Sequence, residues 1–217
     1  MSERAEEIRR VADALRDVIE RFVATSAPLE VFDGIADDLR AVAAKLDGYP
    51  QDHLFFGFPE ASTAGEVGDT EGPFDNSPLM GRANPLAPPL KLTVEADRVV
   101  GTVRFGSAYE GPPGHVHGGF VAAAFDELLG LTQALGGSPG MTGRLIVHYR
   151  RPTPLRTELH LEGTVERVDG RKRFCIGKLW ADGVLCAEAE GLFVTVDFEK
   201  ISDLHRRREE ARSALPD

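Results

Sequence analysis

Residues 143–198 set the strongest limit on what this chain can fold into. Four runs, GRLIVHYRRP (143–152), TELHLEGTVERV (157–168), KRFCIGKLWAD (172–182) and VLCAEAEGLFVTVDF (184–198), alternate apolar and polar side chains. A period of two sends successive side chains to opposite faces, so each run suits a strand with one buried face. Asp169-Gly170 and Asp182-Gly183 stand between the last three runs, and such pairs accept the backbone twist of a tight hairpin. Upstream, LKLTVEA (90–96) and RVVGTVRFG (98–106) alternate in the same way around a turn at Ala96-Asp97. One helical stretch, 118–135, lies between the two sets. Two strands, one long helix and four strands in a meander predict an α+β layer architecture, an antiparallel sheet wrapped around a single helix.

The N-terminal half reads differently. Ile8, Val11, Leu15, Val18 and Phe22 recur at spacings of three and four, which predicts an amphipathic helix over 2–24. Ile35, Leu39, Val42 and Leu46 give a second helix over 29–47, ended by Gly48 and able to pack on the first as a hairpin. Residues 49–88 are dense in Gly and Pro and follow neither period, so they read as an irregular connection. Leu54, Phe55, Phe56 and Phe58 are its candidates for docking on the core. A stretch of that length argues for a boundary near residue 88. The expected division is a helical extension at 1–48, a linker at 49–88, the sheet-and-helix domain at 89–200, and a charged tail at 201–217 with a surface helix over 202–214.

Charge narrows the function. A formal net charge of −10 and a pI near 5.1 leave no broad basic face for nucleic acid, although a local arginine cluster can still hold a small anion. The N-terminus MSERAEEIRRVADALRDV is charged from its start and lacks the apolar core of a signal peptide, and no run approaches 18 apolar residues. Cys175 and Cys186 fit neither a disulfide framework nor a zinc site. A cytoplasmic protein without a membrane or nucleic-acid partner is expected.

The helix at 118–135 carries the chemistry. Positions 119, 122, 123, 126, 130 and 133 share one face and read Gly, Ala, Ala, Asp, Gly, Gln, while Val121, Phe125, Leu128 and Leu131 supply bulk to the other. Asp126 thus stands among small side chains that a narrow ligand can pass. An unpaired carboxylate in an apolar helix is costly, so Asp126 is either used or held by a loop or an ion pair at a dimer seam. The helix starts at Gly118-Gly119, where unpaired N–H groups and the positive end of the helix dipole are open to close approach. That terminus suits a carbonyl oxygen gaining negative charge; phosphate is the competing use, but the loop has neither the P-loop lysine nor the dinucleotide-binding glycine spacing. Eight residues separate Gly118 from Asp126, roughly 12 Å of helix. One carbonyl cannot touch both. If both serve one reaction, they come from two copies of the helix laid antiparallel across a two-fold axis, which predicts a homodimer with two interfacial sites.

HGGFVAAAFDELLG (117–130), followed by a strand with a hydroxyl residue and then HYRRPTPL, resembles the PaaI-like group of hotdog-fold acyl-CoA thioesterases. With the GPPGHVHGG loop it is most similar to the branch containing the human thioesterase superfamily members 4 and 5. The resemblance covers about residues 90–199. It implies a hotdog fold and hydrolysis of an acyl-CoA, with the Gly118 N–H on the thioester oxygen, Gly119 shaping the turn and His117 lining the loop. It further implies Asp126 as nucleophile or general base and Thr142 as the residue orienting water. Many members carry asparagine six residues before the HGG histidine; here that position is Gly111. A thiolate leaves readily, so one carboxylate and one preorganised dipole suffice, and no metal or redox cofactor is expected. Coenzyme A enters only as part of the substrate.

Other residues compete. Glu127 is a rival carboxylate and substrate contact, turned about 100° from Asp126. His115-x-His117 with Asp126 could chelate a metal, but two ordinary loop histidines are the expected reading. His148 and His160 read as packed or surface histidines. Arg150, Arg151, Arg171, Lys172 and Arg173 could grip coenzyme A phosphates or be solvated charges at strand ends. No G-x-S-x-G elbow supports a serine hydrolase. Three functions stay open: hydrolysis, which is favoured; a non-catalytic acyl-CoA sensor; and a hydratase, disfavoured because residue 131, where that chemistry wants histidine, is leucine. Homodimers, or dimers of dimers, are expected.

Overall fold

The computed structural model describes residues 3–49, 68–69, 74–135 and 139–196. Leu54, Phe55, Phe56, Phe58 and the helix expected over 202–214 lie outside the described residues. In chain order come α1 (Glu3–Ala24), a 3-10 turn (Leu29–Phe32), α2 (Ile35–Ala44), β1 (Gly68–Asp69), β2 (Lys91–Val94), β3 (Arg98–Val103) and a second 3-10 turn (Ser107–Tyr109). Then follow α3 (Gly118–Thr132), β4 (Gly140–Tyr149), β5 (Leu159–Asp169), β6 (Lys172–Ala181) and β7 (Val184–Thr195).

All pairings are antiparallel, in the order β1-β2-β3-β5-β6-β7-β4. Both Asp-Gly hairpins form, with Asp182, Gly170 and Gly183 at positive φ as tight turns require. The meander is shorter than expected. It holds only β5, β6 and β7, while β5 pairs with β3 and β4 crosses to the far edge beside β7. The connection at 150–158 is long enough for that crossing, whereas the two Asp-Gly turns force adjacency.

The sheet wraps α3, as the hotdog resemblance implies. Val121, Phe125, Leu128 and Leu131 are buried, and Ala124 and Leu129 with them. Burial of each large side chain is worth about 1.5–3 kcal/mol. The helix fits closely because the strands beneath it carry glycines. A Cβ on Gly177 would lie 3.0 Å from the Phe125 ring, and one on Gly163 would lie 2.4 Å from Thr132 Oγ1. Cys175 and Cys186 are buried strand residues, and burial pushes the Cys175 thiol up to about 12.

The N-terminal region departs from expectation in two ways. The helix expected over 29–47 is broken into a 3-10 turn and α2, with Gly34 between them at φ 78°. More importantly, α1 turns its polar side to the body of the protein. Arg9 is 4% exposed and Ala12 2%, while Val11 is 48% and Phe22 60% exposed. Hydrogen bonds anchor the polar side. Arg9 donates Nε and Nη2 to the Asp75 carboxylate at 2.7–3.2 Å, Arg16 reaches the carbonyls of Asn84 and Arg82, and Glu20 accepts from the Ser107 amide at 2.9 Å. The apolar side meets the first 3-10 turn instead, with Phe22 edge-on to Phe32 at 6.0 Å, and it lines a groove shared with Ile35, Leu39 and Val42 of α2. Residues 74–90 keep an irregular backbone, yet Phe74, Met80 and Leu90 join the core around α3.

Candidate active site

The first turn of α3 is built by its own cap. His117 is the N-cap residue, extended at φ −61° and ψ 130°, and its Nδ1 accepts from the Gly119 N–H at 3.0 Å. A neutral imidazole that accepts at Nδ1 carries its hydrogen on Nε2, so the cap selects that tautomer. The Phe120 N–H turns back to the His117 carbonyl at 2.9 Å. Of the first three helical amides, only the Gly118 N–H has no acceptor among the described residues. It stands beside a cavity of about 540 Å³ whose wall includes Gly118, Gly119, His115, Tyr149, Arg150 and Arg151. The approach loop is held from behind, the His117 N–H bonding the Tyr109 carbonyl at 2.9 Å.

Two turns further on, Asp126 Oδ1 accepts a hydrogen bond from Thr142 Oγ1 at 2.9 Å. Both residues are open to solvent in part. The cavity beside Gly118 is lined by neither of them. Within one chain, then, the helix N-terminus and the carboxylate–hydroxyl pair occupy separate places, in keeping with the roughly 12 Å of helix between them.

A bulge puts Thr142 where it is. Thr142 faces Phe193 and Arg144 faces Leu192, so β4 carries one extra residue, Gly143, against β7. In a regular strand Thr142 and Tyr149, seven apart, point to opposite faces. The inserted residue resets the phase. Thr142 bonds Asp126 and Tyr149 Oη bonds the Gly118 carbonyl at 2.8 Å, both on the α3 side. The role of Tyr149 escaped the sequence reading, although a glycine inside an alternating run is the usual sign of a bulge.

The remaining candidates separate. Glu127 turns to the 74–90 segment, where Ser77 Oγ lies 3.4 Å from its Oε1. Gly111 leaves no room for a side chain, since a Cβ there would come 2.7 Å from the His117 Cα. His115 Nδ1 contacts the Pro113 carbonyl at 2.9 Å, and among the described residues no three His, Cys, Asp or Glu side chains gather to hold a metal. His148 pairs with Glu190 at 3.1 Å. Arg150 and Arg151 reach the cavity, Arg150 also donating to Glu188 at 2.8 Å. Arg171, Lys172 and Arg173 sit at the other end of the sheet. Arg171 holds the Thr195 carbonyl at 2.9 Å, Arg173 lies 3.4 Å from the Leu135 carbonyl, and Lys172 is exposed.

A curled sheet around one helix, with an open helix N-terminus and a carboxylate on its free face, defines a class, and comparison with known proteins gives the same class. The Thioesterase superfamily model matches residues 113–187. A crystal structure of a thioesterase superfamily protein is 36% identical, covers 86% of this chain and 90% of its own, and superposes with a TM-score of 0.75. Acyl-coenzyme A thioesterase THEM4 of Xenopus laevis is 35% identical over 99 residues, 45% of this chain and 45% of its own. Acyl-coenzyme A thioesterase THEM5 of Homo sapiens is 28% identical over 99 residues, 45% of this chain and 40% of its own. The chain thus spans under half the length of these curated relatives. It belongs to the thioesterase superfamily. Among the described residues no helix is long and apolar enough to cross a membrane.

Proposed function

We propose that this protein hydrolyses an acyl-CoA thioester to the free acid and coenzyme A. The observation that carries the reading is the hydrogen bond from Thr142 Oγ1 to Asp126 Oδ1 on the free face of α3. The carboxylate attacks the thioester carbonyl or removes a proton from attacking water, and Thr142 fixes its direction. The Gly118 N–H, without a partner among the described residues and at the positive end of the helix, takes the charge that develops on the carbonyl oxygen. The thiolate then leaves as the carbonyl re-forms, giving the acid directly when water attacks. When Asp126 attacks, the mixed anhydride it forms is next hydrolysed by water to free the acid and regenerate the carboxylate. No metal or redox cofactor enters this scheme.

The two halves of the site meet in a homodimer. β4 offers a ten-residue edge that, among the described residues, pairs only with β7, and Met141, Ile146 and Tyr149 are exposed along it. A long apolar edge calls for a partner strand. Two-fold pairing there sets the α3 helices antiparallel, so Gly118 of one copy faces Asp126 of the other. Arg150 and Arg151 line the Gly118 cavity, which supports reading them as the grip on coenzyme A phosphates. Binding without hydrolysis is the second reading, and the crowded Gly111 favours it by leaving no space for asparagine.

The test is thiol release from short, long and aromatic acyl-CoAs by the native chain and by Asp126→Asn. Turnover by the native chain that collapses in the folded variant supports the hydrolase. Tight binding of one acyl-CoA without turnover supports the second reading.

A further inference from the structure

We infer that Tyr149 is a positioning residue that, together with His117, aims the Gly118 N–H by holding the neighbouring peptide at both ends; this rests on the proposed role of that N–H. The peptide joining Gly118 to Gly119 presents a carbonyl on one side and an N–H on the other. The carbonyl accepts from Tyr149 Oη at 2.8 Å, and the N–H donates to His117 Nδ1 at 3.0 Å. In an α-helix the carbonyl of Gly118 also serves the amide four residues on, and its second lone pair is the one available to a phenol. Rotation of this peptide breaks one bond or the other.

Glycine makes the restraint necessary. Two consecutive glycines at a helix start carry the largest conformational freedom of any residue pair, and a donor that wanders contributes little to a developing charge. Tyr149 supplies bulk as well as a bond. A Cβ on Gly118 would lie 3.3 Å from the phenol oxygen and 3.4 Å from the ring carbons, so the ring packs against bare backbone. The tyrosine comes from a different element, β4, whose bulge at Gly143 gives it the same facing as Thr142. One strand therefore positions both proposed groups of α3, the carboxylate through Thr142 and the donor through Tyr149.

The experiment is Tyr149→Phe in the full chain, which keeps the ring and removes the hydroxyl. Steady-state thiol release is read alongside amide exchange at Gly119 by NMR. The expected result is a roughly five- to tenfold fall in kcat with KM within about twofold, the loss of one hydrogen bond's worth of alignment. The Gly119 amide exchanges several-fold faster, and amides in β5 and β6 are unchanged. Native exchange at Gly119 overturns the clamp. Faster exchange with native kcat overturns its part in positioning. A rise in KM at constant kcat also overturns it, making Tyr149 a plain substrate contact. If the native chain releases no thiol from any acyl-CoA, the hydrolase reading fails separately, and Gly119 exchange still decides the clamp.

Discussion

Thr142 and Asp126 are 16 residues apart in sequence, and their side chains meet at 2.9 Å across the seam between α3 and β4. Thr142 is exposed and Asp126 half-buried, so water screens the bond and its removal changes the folding free energy little. If the carboxylate acts in the reaction, Asp126→Asn lowers kcat by about 10²–10⁴ with the thermal midpoint within a few degrees of native. Steady-state thiol release and a melting curve on the same sample check it. Turnover that survives shifts the role to another group, Glu127 first.

Thr142 gives a graded version. Thr142→Val keeps the shape and removes the donor, and kcat falls about 10- to 100-fold; Thr142→Ser restores most of it. Deletion of Gly143 tests how the threonine reaches its place. Removing the extra residue leaves Thr142 six positions from Tyr149, an even spacing, and still opposite Phe193 in a regular ladder, so it keeps its α3-side facing. The deletion variant therefore keeps its sheet by circular dichroism and most of its rate. A fall to the rate of Thr142→Val contradicts this account of the bulge.

Glycines on either side of α3 behave oppositely. At Gly177 a methyl group meets the Phe125 ring at 3.0 Å and Leu129 at 3.2 Å, both fully buried. Gly177→Ala therefore costs about 1–3 kcal/mol through overpacking. At Gly130, on the free face of the helix, a methyl group meets nothing within 4 Å. Gly130→Ala gains about 0.5–1 kcal/mol from helix propensity. Urea unfolding of the two variants gives shifts of opposite sign. A shared sign means that the helix does not sit in the sheet as described.

Much of this was readable from the residues, and the exceptions share a cause. Alternation and the two Asp-Gly pairs located β5, β6 and β7, and the helical wheel separated Asp126 from the buried Val121, Phe125, Leu128 and Leu131. These signals are local. Where β4 pairs is not local, and only the connection at 150–158 lets it cross to the far edge. The facing of α1 is a second case. Its apolar spacing predicts a helix but not what the helix meets, and Asp75, the 82–84 carbonyls and the 107–108 amides claim its polar side. Tyr149 is a third, since the bulge that turns it toward Gly118 shifts the phase of an otherwise regular strand.

Arg9 and Asp75 tie α1 to the 74–90 segment through a bidentate ion pair. Their side chains are 4% and 16% exposed, and the guanidinium meets both carboxylate oxygens. Removing one member leaves a desolvated charge behind. Asp75→Ala therefore destabilises by about 3 kcal/mol, whereas Arg9→Met with Asp75→Leu recovers most of the loss. A double-mutant cycle by urea unfolding gives the coupling. Additive losses show that the pair does not hold the helix.

Glu20 ties α1 to the turn behind the His117 loop, and it does so in a pH-dependent way. Burial disfavours its charged form, but the amide and hydroxyl of Ser107, the Ala108 amide and nearby Arg156 outweigh that, and the carboxyl is held below its ordinary value. A carboxyl whose pKa is depressed on folding stabilises the folded state at pH above its unfolded value, about 4.3, and loses that contribution as pH falls through the folded one. Glu20→Gln keeps an acceptor but no charge. Native protein is therefore more stable than Glu20→Gln at pH 6–7, and the gap narrows steadily below about pH 4.5. Urea midpoints of both proteins from pH 3 to pH 7 give the comparison. A gap that stays constant across that range assigns the effect to shape rather than charge. Because Tyr109, whose carbonyl holds the His117 N–H, ends the same turn, loss of the Glu20 contact is also expected to speed exchange of the His117 amide.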